Sequence, residues 1–146
     1  TEDYLTDLIV SEINKKFEVP KFQRGWSFLY TKNKDGVGLH CDPSVINLNI
    51  WVSSNDSVLD LEKNGLNIYK ITPPKDWTRE DWNNNAEKSL DYIKSKNIEP
   101  VKIKYKSNRA IFFNGSYFHK TNEVSMKEGF ENMRISYTLL FGNNLE

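Results

Sequence analysis

Hydrophobic positions change their spacing several times along this chain, and each change marks an expected element. Over residues 3–17, Leu5, Leu8, Ile9, Ile13 and Phe17 recur at helical spacing, which predicts an amphipathic helix within residues 1–20 that covers a sheet. Beyond Pro20 the pattern becomes β-prone: Trp26, Ser27, Phe28, Leu29 and Tyr30 predict a strand, and Asn33, Lys34, Asp35 and Gly36 a turn. Residues 45–53 alternate. Ile46, Leu48, Ile50 and Val52 fall on one face, and Val45, Asn47, Asn49 and Trp51 on the other, which fits a barrel wall whose inner surface meets a polar ligand. Further strands are predicted over residues 66–71, ended by Pro73 and Pro74, and over 100–105, 109–114 and 134–141. A turn at Ser107 and Asn108 and a polar loop over residues 122–132, containing Gly129, separate them.

Residues 73–98 depart from the strand pattern. Thr78-Arg79-Glu80-Asp81 has the form of a helix cap, and Trp82, Ala86, Leu90, Tyr92 and Ile93 give the following helix an apolar side. This is read as a helical insertion between strands, either packed on the outer surface or covering a site as a lid. Many short strands with a few helices predict a mainly β fold, a barrel or a sandwich.

At 146 residues the chain fits one domain, 1–146, and a first residue that is Thr rather than Met predicts further sequence before it. The formal net charge is zero with no basic stripe, so nucleic-acid binding is not indicated. Aromatic residues make up 13% of the chain and are expected in the core and in pocket walls. Cys41 is the single cysteine, which excludes an internal disulfide and a thiolate metal cluster. It is expected to be a small buried apolar residue, facing away from its neighbours' ligand. No apolar run reaches membrane-spanning length and no signal-like segment opens the sequence, so a reducing, cytoplasmic setting is expected, with no membrane partner.

The chemistry concentrates on the only two histidines. His40 and Asp42 lie two apart, so on extended backbone both side chains leave one face and reach one ion. His119 closes the apolar run 110–118 and must come from a facing strand, with the Ser116 and Tyr117 hydroxyls as candidate partners for its imidazole. Two imidazoles and one carboxylate form the set that holds non-haem Fe(II) on one face and leaves positions open for O₂; Zn²⁺, Mn²⁺ or Co²⁺ would accept the same donors. Each histidine alone reads equally well as a hydrogen-bonded strand residue, and His-x-Asp alone is a common coincidence. Their conjunction with Arg134-Ile135-Ser136 is not. A guanidinium opening an otherwise apolar strand is costly to bury unpaired, and a dicarboxylate would supply its partner; a structural salt bridge is the alternative.

The order His40-x-Asp42, His119, Arg134-x-Ser136 resembles that of the Fe(II)/2-oxoglutarate-dependent oxygenases. Residues 48–52, followed by Glu62-Lys63-Asn64-Gly65-Leu66, look like the segment after the His-x-Asp motif in the phytanoyl-CoA dioxygenase branch. Tyr30, Gly36 and Gly38 are similar to the approach to that motif in the prolyl 4-hydroxylase branch. The likeness runs from Tyr30 to Gly142. It implies a double-stranded β-helix, the jelly-roll, cupin-like core of these enzymes, with the N-terminal helix and the insertion added. It further implies Fe(II) on His40, Asp42 and His119, 2-oxoglutarate as cosubstrate, O₂, and ascorbate as accessory reductant. Arg134 and Ser136 would bind the distal carboxylate, with Tyr30, Asn49 and Trp51 as candidate cosubstrate-pocket residues. Asn47 shares the face of Asn49 but no motif singles it out. The implied reaction is hydroxylation of a small-molecule or peptide substrate with release of succinate and CO₂. A carboxylate at Asp42, where related halogenases leave a small residue, argues for hydroxylation. Two alternatives stay open: a non-catalytic metal- or ligand-binding cupin-like module, and a metal-dependent enzyme of another type on the same barrel. Neither needs Arg134 with Ser136. The substrate and the oligomeric state have no recognisable code.

Overall fold

The computed structural model describes residues 3–31 and 36–144, so Thr1 and most of the turn expected at Asn33 to Gly36 lie outside the described residues. In chain order the elements are α1 (Tyr4–Lys16), β1 (Phe22–Tyr30), β2 (Ile46–Trp51), β3 (Leu66–Tyr69), α2 (Arg79–Asn83), α3 (Ala86–Ser95), β4 (Val101–Ile103), β5 (Arg109–Phe113), β6 (Phe118–Thr121) and β7 (Arg134–Phe141). Two antiparallel sheets form, one of four strands in the order β1-β7-β2-β5 and one of three in the order β4-β3-β6.

The alternation in β2 explains how the sheets are used. Leu48 and its neighbours Ile46 and Ile50 face outward, where Ile9, Val10 and Ile13 of α1 cover them together with Leu139 and Phe141. Asn47 and Trp51 face inward and are at most 1% exposed. The inner faces of the two sheets meet where Trp51 and Ile111 pack against Leu66, Ile68 and Tyr105. Helix α1 starts at Asp3, whose carboxylate accepts from the Leu5 amide at 3.2 Å, and ends at Lys15 and Lys16, both suited to the helix dipole. Its buried stripe differs from the expected one: Leu5, Leu8 and Phe17 are 55%, 46% and 54% exposed. Thr6 is buried instead, because its hydroxyl bonds with Tyr137 and Asp3; the stripe therefore runs Thr6, Ile9, Val10, Ile13 and turns both leucines out.

The insertion holds two helices rather than one. Thr78 and Asp81 form the expected capping box of α2. The helix then breaks at Asn84 and Asn85, and Asn85 caps α3 by accepting from the Lys88 amide at 3.0 Å. The run Asn83-Asn84-Asn85 explains the break, since asparagine side chains bond local backbone in non-helical conformations. Trp82 and Ile93 are buried against Leu39, Cys41, Tyr69 and Phe118, whereas Ala86 and Leu90 stay exposed. The loop over residues 122–132 is tied to the body by Val124 and Met126, which pack under Tyr30. Among the described residues, no helix is long and apolar enough to cross a membrane.

Candidate metal centre

Three successive residues at the motif are pinned by backbone hydrogen bonds to three different elements. His40 pairs with His119 of β6 in both directions, His40 N to His119 O at 3.0 Å and His119 N to His40 O at 2.8 Å. Cys41 N donates to Trp82 O in α2 at 3.2 Å, and Asp42 N to Gly115 O in the β5–β6 turn at 2.9 Å. The expected strand at His-x-Asp is thus a single bridge to β6 flanked by loop. The alternation survives all the same: Cys41 turns away into the apolar cluster at 1% exposure, where burial raises its thiol pKa. Gly115 is needed for the close approach, because a Cβ there would collide with Ser44.

The His40, Asp42 and His119 donor atoms lie within 4.8 Å of one another. His119 Nε2 is 3.4 Å from Asp42 Oδ2, and His40 Nε2 is 4.0 Å from Asp42 Oδ1. Both rings are oriented from behind by backbone carbonyls: His40 Nδ1 lies 2.7 Å from Gly38 O, and His119 Nδ1 lies 2.8 Å from Tyr117 O. A carbonyl can only accept, so each Nδ1 carries a proton and each ring turns its Nε2 toward the carboxylate. Two ring nitrogens and a carboxylate converging in this way suit a shared cation, a proton or a metal ion. The backbone of Tyr117, not the expected hydroxyls of Ser116 and Tyr117, performs the orientation; Ser116 Oγ instead donates to Ser44 O at 3.5 Å.

Burial, reinforced by the His119 imidazole, lowers His40 to about 4, so the ring is a neutral donor at pH 7. For Asp42 burial works against ionisation, yet its neighbours His119, then His40 and Arg24, hold the carboxyl below the usual carboxylate range. The Asn47 amide also donates to Asp42 Oδ2. Asn47 is fully buried and bonds the candidate ligand Asp42, where the more favoured Asn49, among the described residues, hydrogen-bonds Asn47 and Thr138 instead. Its signal in sequence was the shared inward face of β2. The resulting set, two imidazole nitrogens and a carboxylate with no thiolate, suits Fe(II), Zn²⁺, Mn²⁺ or Co²⁺.

A narrow cavity of about 50 Å³ opens beside these donors, walled by Tyr30, Asn49 and Ser136 among others. Arg134 and Trp51 are not on this wall. They lie behind Tyr30, where the guanidinium sits 5.0 Å from the Tyr30 ring, 5.7 Å from Tyr105 and 5.9 Å from Trp51, itself stacked on Tyr105. Arg134 is 1% exposed, its Nε and Nη1 have no hydrogen-bond partner, and burial lowers its pKa. No carboxylate pairs with it among the described residues. Ser136 is two residues further along the same face of β7, roughly 7 Å nearer the metal side. No protein-family model and no curated protein matches the chain.

Proposed function

We propose that the chain is an Fe(II)- and 2-oxoglutarate-dependent dioxygenase on a double-stranded β-helix, hydroxylating a small-molecule or peptide substrate with release of succinate and CO₂. The observation that carries this reading is the buried guanidinium of Arg134, whose Nε and Nη1 have no hydrogen-bond partner, on the strand that also lines the three-donor cluster. Leaving buried donors unmade costs about 1–3 kcal/mol each, so Arg134 is best accounted for by an anion that arrives later. A dicarboxylate has the charge to pair with Arg134. One end would meet Arg134 and the Ser136 hydroxyl, and the other would reach the cation held by His40, Asp42 and His119. When bound, the iron with its oxo acid and O₂ supplies the oxidation of an unreactive C–H bond.

The chain's own part is orientation. The Gly38 and Tyr117 carbonyls fix the rings, Asn47 fixes the carboxylate, and the ring cage of Tyr30, Trp51 and Tyr105 keeps water from the guanidinium. The cavity beside the donors has room for only a few waters. A five-carbon diacid needs more, and the wall able to yield is β1, whose Trp26 and Phe28 are partly open to solvent. That narrowness is the one observation favouring a module that binds metal without cosubstrate. Succinate release from 2-oxoglutarate with Fe(II) and ascorbate separates the two. Wild-type protein should release it slowly without substrate, and Asp42→Ala should not; folded, metallated wild type that releases none would contradict the proposal.

A further inference from the structure

A second, larger cavity of about 570 Å³ opens directly onto His40 and Asp42 and belongs to no residue assigned so far to metal or cosubstrate beyond those two. Its volume lies within the range of small-molecule sites. One wall is β1, through Arg24, Trp26 and Phe28; the other is the helical insertion, through Arg79 and Trp82. The chain is sparing with arginine, four against sixteen lysines, yet two of the four face this groove and, among the described residues, no lysine does. Of the others, Arg109 donates to Lys104 O and Arg134 is buried. Neither Arg24 nor Arg79 is ion-paired among the described residues.

Among the described residues, Asp42 is the only acid lining the groove, and it faces the histidines. Asp81 holds Lys88 and Thr78, and Glu80 accepts from Asn84. The groove carries an arginine on each of two opposite walls with apolar side chains between them, and any cation at the three donors would add positive charge. Guanidinium forks suit carboxylate or phosphate, and indole and phenyl faces suit a flat or aliphatic body.

We propose that this groove is the substrate site and takes a small acid, a carboxylate or phosphate on an apolar body, gripped by Arg24 and Arg79 with a C–H bond turned toward His40 and Asp42. The role of substrate rests on the oxygenase reading; the binding of an acid does not. The insertion then acts as a wall of the site, through the Trp82 carbonyl bond to Cys41 that ties α2 to the metal loop.

Calorimetric titration of the full chain with phenylacetate, phenyl phosphate and the neutral phenylacetamide tests this. At least one acid should bind ten times or more tighter than the amide, and Arg24→Gln and Arg79→Gln should each weaken the acid roughly tenfold or more while leaving the amide unchanged. Arg134→Ala should not weaken either. The same Arg24 and Arg79 variants, loaded with Mn²⁺, should hold 2-oxoglutarate within about threefold of wild type. Equal binding of acid and amide, no binding of any probe at millimolar concentration, or full acid affinity in both arginine variants would overturn the inference. Acid binding in a wild-type protein that ignores 2-oxoglutarate would keep the groove and remove the oxygenase reading instead.

Discussion

Asn47, which has no exposed surface, donates its amide hydrogen to Oδ2 of Asp42, the carboxylate oxygen that also faces His119 Nε2 at 3.4 Å. The amide orientation is forced. Asn49 Nδ2 donates to Asn47 Oδ1 at 3.0 Å, and Thr138 Oγ1 donates to Asn49 Oδ1 at 3.0 Å, so a chain of polar groups runs from β7 across β2 to the ligand. Reversing Asn47 would set a carbonyl against a carboxylate.

Removing that support should be felt at the metal. Asn47→Ala is expected to weaken Co²⁺ binding by about 10–100-fold while the protein stays folded, as judged by circular dichroism. Loss of the buried hydrogen bonds should also lower stability by about 1–3 kcal/mol. Unchanged Co²⁺ affinity in calorimetry would show that Asp42 keeps its place without Asn47.

The ligands themselves should be indispensable. His40→Ala, Asp42→Ala and His119→Ala should each abolish stoichiometric Co²⁺ or Mn²⁺ binding, since a three-donor site does not keep its affinity on losing one. A variant that still titrates at one equivalent removes its residue from the site.

Arg134 offers a test that separates function from structure. Arg134→Ala should weaken 2-oxoglutarate binding by about 2–5 kcal/mol with metal affinity nearly intact, and Arg134→Lys should recover part of it, lacking the planar fork. Without ligand, Arg134→Met should melt no lower than wild type. Burying an ion costs several kcal/mol, and its three ring contacts, each about 2 kcal/mol, offset that cost without adding net stability. Thermal melting that drops by more than about 1 kcal/mol would make Arg134 a structural residue.

The covering helix should matter for stability alone. Ile13→Ala opens a cavity against Leu48, Leu139 and Phe141 and should cost about 2–5 kcal/mol in denaturant unfolding, with Co²⁺ affinity unchanged. A parallel loss of metal affinity would couple α1 to the site and count against a purely covering role.

Spacing singled out His40, Asp42 and His119, which the fold brings within 4.8 Å of one another, and the strands were legible because alternation is local. What escaped depends on contacts distant in sequence. The buried stripe of α1 turned on a Thr6–Tyr137 bond across 131 residues, which no helical periodicity encodes. Asn47 stood on the right face of β2, but nothing local distinguished it from Asn49 until Asp42 was brought beside it. The tautomers are set by the Gly38 and Tyr117 carbonyls, and backbone groups leave no mark in a sequence. The insertion read as one helix because its apolar side was counted through an asparagine run that breaks it.

The central claim, that His40, Asp42, His119 and Arg134 together serve one metal and one dicarboxylate, is tested most directly by anaerobic titration of 2-oxoglutarate into the Fe(II)-loaded protein, followed by visible absorption. On the proposed oxygenase function, the wild type is predicted to develop a weak visible charge-transfer band that saturates at one equivalent. Arg134→Ala should need at least tenfold more 2-oxoglutarate to reach it, and His119→Ala should show none. Folded, Fe(II)-loaded wild-type protein that gives no band at saturating 2-oxoglutarate would contradict the account.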